Sequence, residues 1–196
     1  MPNLPMPEGL DTPDLECVML DLGSLPVRSA FGSAFQEKEL FFGDHPKLKY
    51  AQGMVAEKGA HVTLLFGIHP SETYVDDVMN ALGDWQPEDV FIREVSYFPS
   101  NVEGQDYTCI VGKVVPSANL LLARKRLETL DFTDQFAAEY TPHVTLAYIK
   151  GSKPKRIQRW VNTLGAYYSN RVLTPTALNL GLDDEDEDDE YEEDDD

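Results

Sequence analysis

The tetrapeptide His-Val-Thr-Leu occurs twice, at residues 61–64 and 143–146, and takes up two of the chain's four histidines. Such a repeat constrains the fold first, because it asks for two equivalent local structures in one chain. Val and Thr favour strands, and in a strand residues i and i+2 share a face. Each unit therefore turns one imidazole and one hydroxyl the same way. Brought together, the two units would place an acid, a base and two hydroxyl donors around one substrate group.

The surroundings of the repeat read as interleaved strands and helices. Glu16–Leu22 is predicted as a first strand, followed by a long segment, 23–58, with scattered Gly, Pro and aromatics. It reads as a partly ordered insertion, a possible lid, with room for a short helix near Ala34–Leu40. The first motif opens a strand over His61–Ile68. Val75, Val78, Met79 and Leu82 then recur at helical spacing, and Gly83 closes that helix. Strands follow at Val90–Phe98 and Tyr107–Val115, and then a helix over Leu120–Leu130 that Ser117 or Asn119 can cap. The second motif starts a strand over His143–Ile149. Pro154 begins a third helix that runs to Gly165, and a last strand lies near Ala177–Leu182. The pattern is that of an α+β domain (α/β, two-lobed) with internal pseudo-symmetry, over residues 15–182.

Charge divides the chain unevenly. Residues 183–196 hold 13 acidic residues in 14, and without them the formal net charge of −19 falls to −6. A block of like charge repels itself, so this tail and the Pro-rich lead, residues 1–14, read as disordered. The tail serves solubility or a partner, and the acidic balance weighs against long nucleic acid, whose binding depends on phosphate neutralisation. A small nucleotide substrate suits this charge better. No apolar run reaches the roughly 20 residues of a membrane span, and the lead lacks a secretion signal's basic and apolar parts. Cys17 and Cys109 stand singly, with no Cys-x-x-Cys pattern, and read as thiols. The protein is expected in the cytoplasm.

The chemistry of the repeat follows from its residue types. Histidine titrates near neutrality and can give or take a proton there. One of a pair can deprotonate an attacking hydroxyl while the other protonates the departing oxygen, each transfer contributing roughly 10²–10⁴ in rate. Threonine hydroxyls can hold the phosphate oxygens on which charge builds. No metal-ligand spacing is present. A single histidine on an apolar strand would read as structural; its duplication with Thr at the same spacing favours a site. Phe66 and Tyr148 lie five positions beyond their histidines, which on a regular strand places them on the opposite face, in the core. His45 and His69 read as turn and strand-end residues. Lys150, Lys153, Lys155, Arg156 and Arg159 read as a solvated helix face, with phosphate steering or a dock for the tail as alternatives. Tyr97 and Phe98 read as core, with base stacking as the alternative.

Two HxT motifs separated by a helix, two strands and another helix resemble the 2H phosphoesterase superfamily, over roughly Glu16 to Ile149. The resemblance implies a pseudo-twofold fold, two small antiparallel sheets flanking a cleft with helices outside. It implies chemistry on cyclic phosphates or phosphodiesters without metal or cofactor, with His61 and His143 as acid and base and Thr63 and Thr145 as phosphate-binding residues. The run HVTLLFGI is more similar to phage anti-CBASS nucleases, which degrade the cyclic oligonucleotide messengers of bacterial antiviral signalling. The bacterial RNA 2′,3′-cyclic phosphodiesterase (LigT-like) branch continues instead into an apolar-Gly-Glu stretch, where this chain has Ile68 and His69 after Gly67. The expectation is a hydrolase of 3′,5′ bonds in small cyclic nucleotides or oligonucleotides, at work in the host cytoplasm if the protein is viral. The rival readings are a 2′,3′-cyclic phosphodiesterase of RNA processing and a non-catalytic nucleotide-binding or acidic-tail interaction protein. The histidine roles and the oligomeric state stay open.

Overall fold

The computed structural model describes residues 15–43, 52–100, 104–133 and 140–181. The expected lead 1–14, the acidic tail 183–196 and His45 lie outside these residues. In chain order the elements are β1 (Glu16–Asp21), α1 (Val27–Phe31), α2 (Val55–Lys58), β2 (His61–Ile68), α3 (Tyr74–Leu82) and β3 (Val90–Pro99). They continue with β4 (Tyr107–Val114), α4 (Ala118–Leu127), β5 (His143–Lys150), α5 (Pro154–Tyr168), β6 (Arg171–Leu173) and β7 (Ala177–Asn179).

The strands form a curled sheet in the order β6-β3-β4-β5-β2-β1-β7, every neighbouring pair antiparallel. The two expected halves are visible in its pairing. β3, β4 and β5 are joined by long ladders on one side, β1 and β2 by another, and between β5 and β2 a single registered pair, Val62 with Val144, connects them. The mixed helix and antiparallel-sheet fold is the one the motif resemblance implied.

Alternation along the strands sets up the core. Val18, Leu20, Val62, Leu64, Ile110, Val114, Val144 and Leu146 are buried on one face of the sheet. They share one cluster with Leu120, Ala123 and Leu127 of α4 and Ile157, Trp160 and Leu164 of α5. The other face carries both motif histidines. Local signals explain the helix ends. The Ser117 hydroxyl accepts from the Leu120 amide and caps α4, and Pro154 occupies the first turn of α5, where its missing N–H costs nothing. Gly165 does not end α5 as the sequence predicts. Leu164 and Tyr168 continue the apolar stripe at i, i+4 spacing and are both buried, and that burial outweighs the roughly 1 kcal/mol helix penalty of one glycine. The short edge strand β6 had no signal in the sequence: two of its three residues are exposed.

Candidate active site

One backbone pair builds the site. With Val62 opposite Val144 in antiparallel register, the neighbouring positions follow: His61 lies across from Thr145, and Thr63 across from His143. Both valines point into the core, so all four motif side chains share the opposite face. The expected site residues His61, Thr63, His143 and Thr145 are thus brought together around a pseudo-twofold axis through the valine pair. Each of the four is half-buried.

A bulge follows in each strand at the same place. Between β1 and β2 the register passes from Met19 opposite Thr63 to Val18 opposite Leu65, leaving Leu64 as the extra residue. Between β4 and β5 it passes from Val111 opposite Thr145 to Ile110 opposite Ala147, leaving Leu146 extra. An extra residue reverses the facing of everything beyond it. Phe66 and Tyr148 therefore stand on the same face as the histidines, opposite Cys17 and Cys109 respectively, and not in the core as a regular strand would place them. The carbonyls released at the first bulge are satisfied from outside the sheet. The Tyr140 hydroxyl donates to the Thr63 carbonyl at 2.9 Å, and Arg124 reaches the Leu64 carbonyl at 3.4 Å. Tyr140 thereby ties the segment leading into the second motif to the backbone of the first.

The two histidines have different neighbours. Burial pushes both imidazoles below the usual histidine range. At His61 the carboxylate of Asp21, directly opposite on β1, works against that fall, while His143 adds to it; the two rings feel each other's charge. At His143 the Thr141 carbonyl opposes the effect of burial. That carbonyl lies 3.0 Å from Nδ1 and can only accept, so Nδ1 carries the proton and Nε2 is a bare lone pair while the ring is neutral. The Phe98 ring meets His143 edge-on at 5.2 Å, and Lys113 is its directly opposite residue on β4. Beyond Thr145, the Cys109 thiol lies 3.9 Å from the threonine hydroxyl. Burial raises the Cys109 thiol to about 11 and lifts the Tyr148 phenol above the usual tyrosine range, so both stay protonated near neutrality.

The long segment before the first motif is tied down beside this face. Its described residues contain α1, two 3₁₀ turns (Gly32–Ala34 and Glu37–Glu39) and α2. Leu40 bridges to Ile149, the Phe41 amide donates to the Tyr148 carbonyl at 2.9 Å, and the Tyr148 amide donates to the Gly53 carbonyl at 2.7 Å. Phe41 then lies over Tyr107, which meets Tyr148, giving a small aromatic group next to Thr145. Two residues of the basic cluster anchor this segment: Arg156 and Arg159 both meet Glu39. His69 ends its strand, with Nε2 at 2.9 Å from the Thr133 hydroxyl, and takes no part in the motif face. Neither Tyr97 nor Phe98 is in the core as the sequence predicts: Tyr97, toward the end of β3, is 48% exposed, and Phe98 is half-buried against His143. Among the described residues no three His, Cys, Asp or Glu side chains group closely enough to hold a metal ion, and no helix is long and apolar enough to cross a membrane.

The sequence profile of the 2′-5′ RNA ligase superfamily matches residues 39–185 of the chain. No curated protein matches it in sequence. Among solved structures, Usb1 of Kluyveromyces marxianus is similar at 10% identity and a TM-score of 0.46, over 87% of this chain and 98% of that one. The same protein with uridine monophosphate gives 10% identity and a TM-score of 0.46, over 87% and 99%. The profile takes in both motif strands and everything between them, and the chain belongs to the 2′-5′ RNA ligase superfamily of 2H phosphoesterases.

Proposed function

We propose that this protein is a phosphodiesterase that cleaves 3′,5′ bonds of small cyclic nucleotides or oligonucleotides, without metal or cofactor, and acts as a phage anti-CBASS nuclease in the host cytoplasm. His61 and His143 are its acid/base pair, and Thr63 and Thr145 hold the phosphate. The observation that carries this reading is the Val62–Val144 pair, whose register gathers two imidazoles and two hydroxyls on one face. Membership of a phosphoesterase superfamily supports the reaction class. The charge of −6 outside the tail favours a small substrate over a long phosphate backbone.

In this reaction a ribose 2′-hydroxyl attacks the adjacent phosphorus as one histidine takes its proton. The other histidine protonates the leaving 5′ oxygen, and a 2′,3′-cyclic phosphate results. Burial lowers both rings below the usual histidine range, which favours the neutral form that the base needs, while the acid has to take up its proton before it acts.

The test is product analysis by mass spectrometry, in EDTA, on cyclic di- and trinucleotides, nucleoside 2′,3′-cyclic phosphates and a short RNA ending in a cyclic phosphate. Linearised rings are expected, with His61→Ala and His143→Ala each slowing the reaction by roughly 10²–10⁴ while remaining folded. Opening of the 2′,3′-cyclic substrates alone would assign the protein to RNA ends instead. A strict requirement for a divalent metal would overturn the mechanism.

A further inference from the structure

The pseudo-twofold site is symmetric in its motifs and asymmetric one strand further out. Directly opposite His61, on β1, is Asp21; directly opposite His143, on β4, is Lys113. The same correspondence holds down both strands, Met19 with Val111 opposite the threonines and Cys17 with Cys109 opposite the aromatics, at a constant offset along the chain. Asp21 and Lys113 therefore occupy equivalent places in the two halves, and they carry opposite charges. Residues directly opposite in an antiparallel pair share a face, so each charge lies on the motif face beside its own histidine.

We propose that this pair of charges polarises the site, making His61 the general acid and His143 the general base, with Asp21 and Lys113 as positioning residues that set the two roles. The inference rests on the phosphodiesterase reading above. An anion beside an imidazole stabilises the protonated ring, and a cation stabilises the neutral one. Asp21 is held in place, since its carboxylate accepts from the Asn179 amide at 3.3 Å. Among the described residues, the charged or titratable groups around His61 are Asp21 from β1 and His143 from β5. Among the described residues, His61 of β2 faces His143, and Lys113 of β4 is its register partner, with Glu94 of β3 joined to Lys113 at 3.2 Å; the shift of the His143 ring itself comes from burial and the Thr141 carbonyl. Glu94, one strand further out, pairs with Lys113 and weakens the cation's influence on the ring. The Thr141 carbonyl favours the charged ring, but it also fixes the proton on Nδ1 and so leaves Nε2 of neutral His143 ready to accept.

The step balances without a co-reactant. The 2′-oxygen gives its proton to Nε2 of His143 and forms its bond to phosphorus. The bond from phosphorus to O5′ breaks, and O5′ takes the proton of His61. A 2′,3′-cyclic phosphate and a free 5′-hydroxyl result, with His61 left neutral and His143 protonated.

A leaving group that needs no proton separates the roles. The substrates are a cyclic 3′,5′-dinucleotide and the same ring with sulfur in place of one bridging O5′, because a thiolate departs unprotonated. Both His→Ala variants should lose roughly 10²–10⁴ on the oxygen ring, whereas on the sulfur ring His61→Ala should come within about tenfold of wild type and His143→Ala should stay impaired. Rescue of His143→Ala, or of neither variant, overturns the assignment. Charge variants supply a second readout. Asp21→Asn should move only the alkaline limb of the kcat/KM pH profile, to lower pH, with recovery in Asp21→Glu. Lys113→Met should move only the acid limb, to higher pH, with recovery in Lys113→Arg. Movement of the opposite limbs overturns the polarisation even if a histidine variant fails to fold. Wild-type protein that cleaves neither ring removes the ring-cleaving reading and this inference together; an active wild type with the roles exchanged removes the inference alone.

Discussion

Replacing Glu39 tests how the long segment before the first motif is held. Its side chain is only 12% exposed and meets three donors. Arg159 contacts Oε2, the indole N–H of Trp160 donates to the same oxygen at 2.8 Å, and Arg156 lies 3.7 Å from Oε1. Removing one partner of a fully buried ion pair costs about 3–5 kcal/mol, and an exposed pair is worth about 0–1. The guanidinium side chains here are 24% and 34% exposed, so the ionic part falls between, at about 1.5 kcal/mol. Trp160 is fully buried, and leaving its N–H without an acceptor adds about 1–2 kcal/mol. Glu39→Gln keeps an acceptor oxygen for the indole and should cost about 1.5 kcal/mol, whereas Glu39→Ala should cost about 3. For a chain of this size those values lower Tm by roughly 3–6 °C and 6–12 °C. Thermal unfolding followed by circular dichroism, with urea midpoints at constant m-value, measures both. Equal losses in the two variants would show that the indole bond contributes nothing. A loss below about 0.5 kcal/mol in both would mean the carboxylate is solvated and the segment is anchored elsewhere.

Two further effects on stability follow. Gly67 sits at φ +93°, and a Cβ there would run into the Thr133 carbonyl oxygen, so Gly67→Ala should cost about 3 kcal/mol in urea unfolding, and a neutral result would refute that backbone conformation. The depressed histidines fix a sign for pH. A ring whose folded pKa lies below its unfolded value of about 6.5 binds fewer protons when folded, so its stability contribution is intact above about pH 6.5 and declines as pH falls toward the folded value. His143→Gln should flatten that decline between about pH 7 and 5.5, and an unchanged slope would show that the ring is not desolvated.

Much of the architecture was legible because periodicity and punctuation agreed. The strand of the first motif, Pro154 at the start of α5, and Ser117 as the α4 cap all have short-range causes that the sequence carries. The four motif residues were legible through repetition alone, since neither histidine is distinctive by itself. What escaped has long-range causes. The two bulges depend on how β1 and β4 register against the motif strands, and nothing in HVTL announces an extra residue, so Phe66 and Tyr148 were assigned to the wrong face. Asp21 and Lys113 are ordinary charges until pairing brings them opposite the histidines. Arg156 and Arg159 read as solvated because Glu39, more than a hundred positions earlier in the chain, gives no local sign of reaching them.

The identity of the two motifs has a consequence for strand polarity. A phosphodiester has a 3′ side and a 5′ side, and a half-turn about the Val62–Val144 axis exchanges them. That half-turn also exchanges His61 with His143 and Thr63 with Thr145, so the motifs present the same groups to the bond either way round. A catalyst built from them alone would have no preference for which oxygen departs. Directionality has to be written outside the repeat, in places where the half-turn superposes unlike residues: Asp21 against Lys113, and Phe66 against Tyr148. For the reaction proposed above, the choice of departing oxygen therefore falls to the unrepeated part of the chain.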